Sequence, residues 1–168
     1  MIRFLLDANI FFQAKNLHYG LDFCPAFWDW LVAQNAAGKV ASIDKVGDEL
    51  EAGRDELSDW AAARRRAFFL PPDDLVVPAL TRVSTWATSQ TYEPAAISTF
   101  LQVADYWLVA HALAHNYIVV THEVPAESIR KIKISNAYIG LGLPCLSPYE
   151  MLRRERARFV LGPTPRAA

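Results

Sequence analysis

Four consecutive residues, Ile118-Val119-Val120-Thr121, are β-branched. Such a run suits a strand covered on both faces, because each member is stiff at χ1 and packs well on a pleated surface. A strand of that kind needs helices above and below it. The same pattern recurs along the chain. Ile2-Arg3-Phe4-Leu5-Leu6 is interrupted only by Arg3 and runs straight into Asp7-Ala8-Asn9-Ile10-Phe11-Phe12, so a strand hands over to a helix at Asp7. Val40 to Ile43 reads as a second strand, Phe68 to Leu70 as a third that is halted by Pro71-Pro72, and Cys145-Leu146 as a last short one.

Helical spacing fills the intervals. Helices are expected over Asn9 to Asn16, Pro25 to Ala37 and Lys45 to Ala52, the last capped by Asp44, and then over Glu56 to Arg65. Further helices are expected over Asp73 to Gln90 despite Pro78, over Pro94 to Leu101, Ala104 to His115 and Asn136 to Leu141, and over Pro148 to Phe159. Ile132 to Ile134 reads as an extended stretch. Strands alternating with helices predict an α/β fold with a short, mostly parallel central sheet covered on both faces. No repeat or linker divides the chain, so residues 1–160 are expected to form one domain and residues 161–168 a flexible tail.

Composition excludes several classes. A formal net charge of −1 on 168 residues argues against a strongly basic nucleic-acid binder, while clustered arginines such as Arg64-Arg65-Arg66 can still make a local patch. Cys24 and Cys145 are too few for a disulfide framework and no CxxC pair occurs, so a reducing cytoplasm is the expected location. The N-terminus has no signal-peptide pattern. The longest uncharged stretch, Tyr106 to His122, reads as a core helix followed by a strand, and no membrane association is expected.

Acids mark the strand and helix ends. Asp7 and Glu123 follow strands, and Glu49 and Asp105 lie near the starts of helical segments. In an open α/β sheet, ligands bind outside the carboxyl ends of the strands. Clustered there, four carboxylates would raise one another's pKa values unless a cation neutralised them, and magnesium or manganese prefers oxygen ligands. Each acid also has an ordinary explanation. Asp7 can cap the helix that begins at Ala8, Glu49 can belong to a solvated helix face on which Asp48 or Glu51 serves equally well, and Glu123 can be a loop residue. Asp105 lies within the apolar Val103-Ala104-Asp105-Tyr106-Trp107-Leu108, where an unpaired charge is costly, so function is favoured there.

Asp7 with Asn9 after the first strand, an acid in the helix after the second, Ala104-Asp105 opening a long apolar helix, and Thr121-His122-Glu123 after a buried strand together resemble a PIN domain. The resemblance covers nearly the whole chain, and in length and acid order it is similar to the single-domain VapC-type toxins. It implies a PIN-like three-layer α/β/α fold and an RNA endonuclease dependent on Mg²⁺ or Mn²⁺. The metal would be held by Asp7, Glu49 and Asp105, with Glu123 at the fourth position and Asn9 and Thr121 in support. Glu123 departs from the pattern, which usually places an aspartate two residues after the threonine. The implied partners are RNA, a cognate antitoxin protein and a second copy of the chain.

Hydrolysis of a phosphodiester at such a site needs one or two metals and no protein nucleophile. For RNA contact the candidates are Lys15, Lys45, Arg54, Lys131 and Lys133, with Tyr19, Trp28 or Tyr106 as stacking platforms. Arg153, Arg154, Arg156 and Arg158 on the last helix can bind RNA or an acidic partner, and Leu17 to Trp30 can form a dimer or antitoxin interface. His122 adjoins the site and more often would be structural. An aspartyl phosphatase is disfavoured because Asn9 stands where its second acid would be. A PIN-like module without catalytic activity, binding only RNA or protein, is the alternative.

Overall fold

The computed structural model describes residues 3–162; Ile2 of the first expected strand and residues 163–168 of the expected tail lie outside the described residues. The strands are β1 (Phe4–Leu6), β2 (Val40–Ile43), β3 (Phe69–Leu70), β4 (Ile118–Val120) and β5 (Cys145–Leu146). Among the described residues they make one five-stranded sheet in the order β3-β2-β1-β4-β5, with every neighbouring pair parallel. Leu5 at the centre pairs with Ala41 on one side and Val119 on the other.

The chain builds outward from β1 through β2 to β3, then returns to add β4 and β5 on the opposite side. The reversal falls between β1 and β4. Their carboxyl ends therefore flank the crevice in which open α/β sheets bind ligands. Every residue of β1 and β2 is buried, as expected when helices cover both faces. The result is the three-layer α/β/α arrangement that the sequence predicts.

Ten helices lie among the described residues: α1 (Ala8–Gln13), α2 (Pro25–Ala36), α3 (Asp44–Glu51), α4 (Glu56–Ala62), α5 (Arg65–Phe68), α6 (Val76–Ser89), α7 (Pro94–Phe100), α8 (Ala104–His115), α9 (Ile134–Leu141) and α10 (Pro148–Arg154). α1 continues as a π-helical turn, Ala14–His18, closed by the bond from the Tyr19 N–H to the Ala14 carbonyl at 2.7 Å. Phe11 on α1 is fully buried and lies about 6 Å, ring to ring, from Trp60, Phe68 and Phe69, so one aromatic cluster locks α1, α4 and α5 onto β3.

Several boundaries differ from expectation. The segment Glu56 to Arg65 is two helices rather than one, since the chain turns between Ala62 and Arg65. Asp44 does not cap α3 but is its first residue, and it pairs with Arg65 at 2.6 Å. Asp73 stands outside α6, where its carboxylate accepts from the N–H groups of Leu75 and Val76 at 3.1 and 3.3 Å. Pro78 is tolerated because the third helical residue has no intrahelical acceptor for an N–H. The extended stretch expected over Ile132 to Ile134 ends one residue early: Lys133 has extended backbone and Ile134 opens α9. The last helix stops at Arg154 instead of Phe159. Glu155 just beyond it pairs with Lys39 at 2.8 Å and Arg3 at 3.5 Å, and the chain reverses at Arg156, whose φ is 53°.

Gly47 lets two neighbours pack close to α3. A Cβ there would meet the Arg65 guanidinium at 2.6 Å and the Phe69 ring at 3.1 Å, so the missing side chain lets both lie against α3. No helix among the described residues is long and apolar enough to cross a membrane.

Phe11→Ala is expected to cost about 3 to 5 kcal/mol of folding stability, because it empties a fully buried site among three rigid rings. Urea unfolding followed by tryptophan fluorescence measures this directly. A loss below about 1 kcal/mol would show that the cluster does not anchor α1.

Candidate functional site

The ladder between β1 and β4 runs one residue past β1, since the Asp7 N–H donates to the Val120 carbonyl at 3.0 Å. Asp7 has the extended backbone of a helix cap, yet its carboxylate makes no capping bond to α1. Instead Oδ2 accepts the Thr121 hydroxyl at 2.6 Å. The capping explanation for Asp7 is thereby replaced by a bond across the switch point.

Thr121 is the junction. Its Oγ1 donates to Asp7 and accepts from the Asn9 amide at 2.9 Å and from the Glu123 N–H at 3.0 Å. One donor and two acceptor positions are all a hydroxyl has, so Thr121 is fully used. Asn9 completes the ring by accepting the His122 N–H on Oδ1 at 3.1 Å. The Glu123 carboxylate reaches over an irregular segment to accept the Ile134 N–H at 3.1 Å, which satisfies a free donor at the start of α9.

Asp105 enters as the second residue of α8, and Glu49 comes from α3, which packs against α8. Both line a cavity of about 490 Å³ together with Phe100, Val103, Lys131 and Ile132. The other acids of α3 face elsewhere. Asp44, Asp48 and Glu51 all bind Arg65, at 2.6, 2.6 and 3.0 Å. Of the alternatives open on that helix, Glu49 is therefore the carboxylate left beside Asp105.

The acids act on one another. Burial pushes the Asp7 carboxyl up to about 6, with Glu123 and Glu49 adding to the rise and the Thr121 bond opposing it. Burial pushes Asp105 to about 7, reinforced by Asp7, Glu123 and Glu49 and opposed by Lys131. Desolvation also raises Glu49, partly offset by the Ala104 N–H. Among the described residues none of the four forms an ion pair with a lysine, arginine or histidine. Neither do any three His, Cys, Asp or Glu side chains stand together as a ready cage for a metal. The donor set is all carboxylate oxygen, which suits a hard cation that keeps much of its water shell.

The expected RNA contacts divide. Lys131 lies in the cavity wall. Lys15 is paired with Asp55, and Lys45 sits over the Trp107 ring at 5.4 Å. Trp28 cannot be a surface platform, because it is 2% exposed and its indole N–H donates to the Tyr19 carbonyl at 2.7 Å. Tyr106 is half-buried with its hydroxyl bound to the Leu80 carbonyl, and Tyr19 stacks on Phe27 at 4.4 Å. The four C-terminal arginines do not share a helix, since Arg156 and Arg158 follow the end of α10. Arg65 is structural, and Arg64 covers Trp60.

Two features had no strong signal in the sequence. His18, His122 and Tyr149 meet beside the site, with the imidazoles 5.5 Å apart and the Tyr149 hydroxyl 3.1 Å from His18 Nε2. Tyr138 is buried with the acids nearby, although its sequence context, an apolar stretch of α9, marks it only as a core residue.

A five-stranded parallel sheet of this order with helices on both faces gives the chain a PIN-like three-layer α/β/α fold. Its fold is similar to chains of VapBC2 from Rickettsia felis bound to a DNA fragment from their promoter, with TM-score 0.55, 15% identity, and 88% of this chain and 98% of that chain covered. It is likewise similar to FitAcB from Neisseria gonorrhoeae, with TM-score 0.51, 18% identity, and coverage of 89% and 99%. No curated protein matches in sequence. Residues 4–159 match the family model described as a domain of unknown function, DUF4411, and the chain belongs to that family.

The raised acids give a pH signature. Asp7 and Asp105 bind protons more tightly folded than unfolded, so in chelator the stability they contribute is present at low pH and falls as pH rises from about 4 to about 7. Asp7→Asn is expected to gain on the native protein over that window, by on the order of 1 to 3 kcal/mol. Urea titrations at both ends test this, and a gain in the opposite direction would refute the buried-acid account.

Proposed function

We propose that the chain is an endoribonuclease dependent on Mg²⁺ or Mn²⁺ and the toxin of a toxin-antitoxin pair. The observation that carries this reading is the pair of buried acids Asp7 and Asp105, each pushed up by burial and further by Glu49 and Glu123, with none of the four paired to a cation of the protein among the described residues. A folded chain tolerates such a group mainly where a divalent ion neutralises it. The fold likeness to VapBC2 and FitAcB supports the toxin role.

Asp7, Glu49, Asp105 and Glu123 are the proposed metal-binding and catalytic set. A bound ion would lower the pKa of an attacking water and offset charge on the phosphoryl oxygens. The protein's own contribution is orientation. Thr121 binds Oδ2 of Asp7, Asn9 holds the Thr121 hydroxyl in that direction, and Glu123 is positioned by its bond to α9. Lys131, in the cavity wall close enough to lower the Asp105 pKa, supplies a cation for a backbone phosphate of the RNA.

The proposed partners besides RNA are a cognate antitoxin and a second copy of the chain. Leu17 and Phe23, each 68% exposed, supply apolar surface in the segment read as an interface. The unpaired Cys24 and Cys145 fit a reducing cytoplasm.

Cleavage of single-stranded and structured RNAs with Mg²⁺ or Mn²⁺ tests the reading. Asp7→Asn and Asp105→Asn are each expected to lower the rate at least about a hundred-fold, the scale of losing one transition-state electrostatic group. Unchanged rates in both variants would remove the site from consideration. A native protein that binds RNA without cutting it would instead be the catalytically inactive module.

A further inference from the structure

His18, His122 and Tyr149 form a second ring cluster, apart from the one that buries Phe11. His122 follows β4 closely, Tyr149 lies in the first turn of α10 just after β5, and His18 ends the π-helical turn that continues α1. Since β4 and β5 are parallel neighbours, the cluster sits at the carboxyl edge of the sheet. The imidazoles stack 5.5 Å apart at 29°, and the Tyr149 ring stands edge-on to both at 5.8 Å. Its hydroxyl is 3.1 Å from His18 Nε2.

This cluster is open where the Phe11 cluster is closed. His18 is exposed, His122 is half-buried and Tyr149 is 37% exposed. Rings that served packing alone would gain by burying their faces, whereas these leave ring surface in water. Four residues after Tyr149, on the same face of α10, Arg153 is exposed and forms no ion pair among the described residues. A planar group that also carries negative charge matches the rings and the guanidinium together, and a nucleotide is such a group. The main chain of His122 is fixed by Asn9, which bonds to the Thr121 hydroxyl that holds Asp7. The cluster therefore adjoins the strand end that presents Asp7.

We infer that His18, His122, Tyr149 and Arg153 form a nucleotide subsite for RNA, in which one base stacks on the rings and a backbone phosphate pairs with Arg153. Every base has a π-face, so the subsite takes an unpaired nucleotide without fixing its identity. The inference rests on reading the chain as an enzyme that acts on RNA.

Binding of a fluorescent single-stranded RNA to the full chain, followed by anisotropy in Mn²⁺ over a range of salt, tests this; a phosphorothioate backbone keeps the RNA from being cut. Tyr149→Ala and His18→Ala are each expected to weaken binding about ten-fold with the native salt dependence, the scale of one base stacked on a ring. Arg153→Gln is expected to flatten the plot of log affinity against log salt by about 0.7, the value for one phosphate contact on a single strand. An unchanged slope overturns the phosphate contact. Native affinity in both alanine variants overturns the inference while leaving RNA binding standing. A native protein that does not bind the RNA overturns both. Native RNA affinity combined with lost self-association in sedimentation assigns the rings to a second copy of the chain, and that too overturns the inference. If Tyr149→Ala loses its near-ultraviolet dichroism, His18→Ala, at an exposed position, decides the question by the same criterion.

Discussion

The hydroxyl of Thr121 joins the ends of two parallel strands that arrive from opposite halves of the chain. Its bonds to Asp7, Asn9 and Glu123 fix three residues around one oxygen, and the Asn9–His122 bond closes the arrangement. Because β1 and β4 are neighbours at the point where the strand order reverses, no crossover helix covers their ends. The crevice is a consequence of topology, and the threonine sets which atoms face it.

Charge is distributed unevenly around that crevice. On α3, Arg65 gathers Asp44, Asp48 and Glu51, which leaves Glu49 as the acid beside Asp105. Gly47 makes this possible by giving the guanidinium room against the helix. The acids of α3 paired to Arg65 are neutralised, and Glu49 has no cationic partner among the described residues. Burial keeps Asp7, Glu49 and Asp105 reluctant to ionise.

Much of the fold was legible because it depends on local patterns. The β-branched run at Ile118 announces a strand covered on both faces, the apolar β1 and the short Cys145-Leu146 pair announce two more, and all lie in the sheet. Boundaries failed where a backbone reversal or a side-chain bond decided them. The last helix ends before Arg156, which has a φ of 53°, Asp73 stands before α6 with its carboxylate on the N–H groups of Leu75 and Val76, and Ile134 begins α9 under the Glu123 carboxylate. Aromatic residues were harder to place, since Trp28 is equally compatible with surface or core until its neighbours are known.

The sequence by itself determined the alternation of strands and helices and the positions of Asp7, Asn9, Asp105, Thr121 and Glu123 at element ends, because periodicity and residue type act over a few neighbours. Tertiary structure decided which acids are paired, that Asp7 bonds to Thr121 rather than capping α1, and that Glu49 rather than Asp48 or Glu51 lies beside Asp105. Those outcomes depend on residues such as Arg65 and Thr121, which lie 14 to 114 positions from their partners. Electrostatics and hydrogen bonding at contact distance choose among them, and a linear pattern carries no record of that choice.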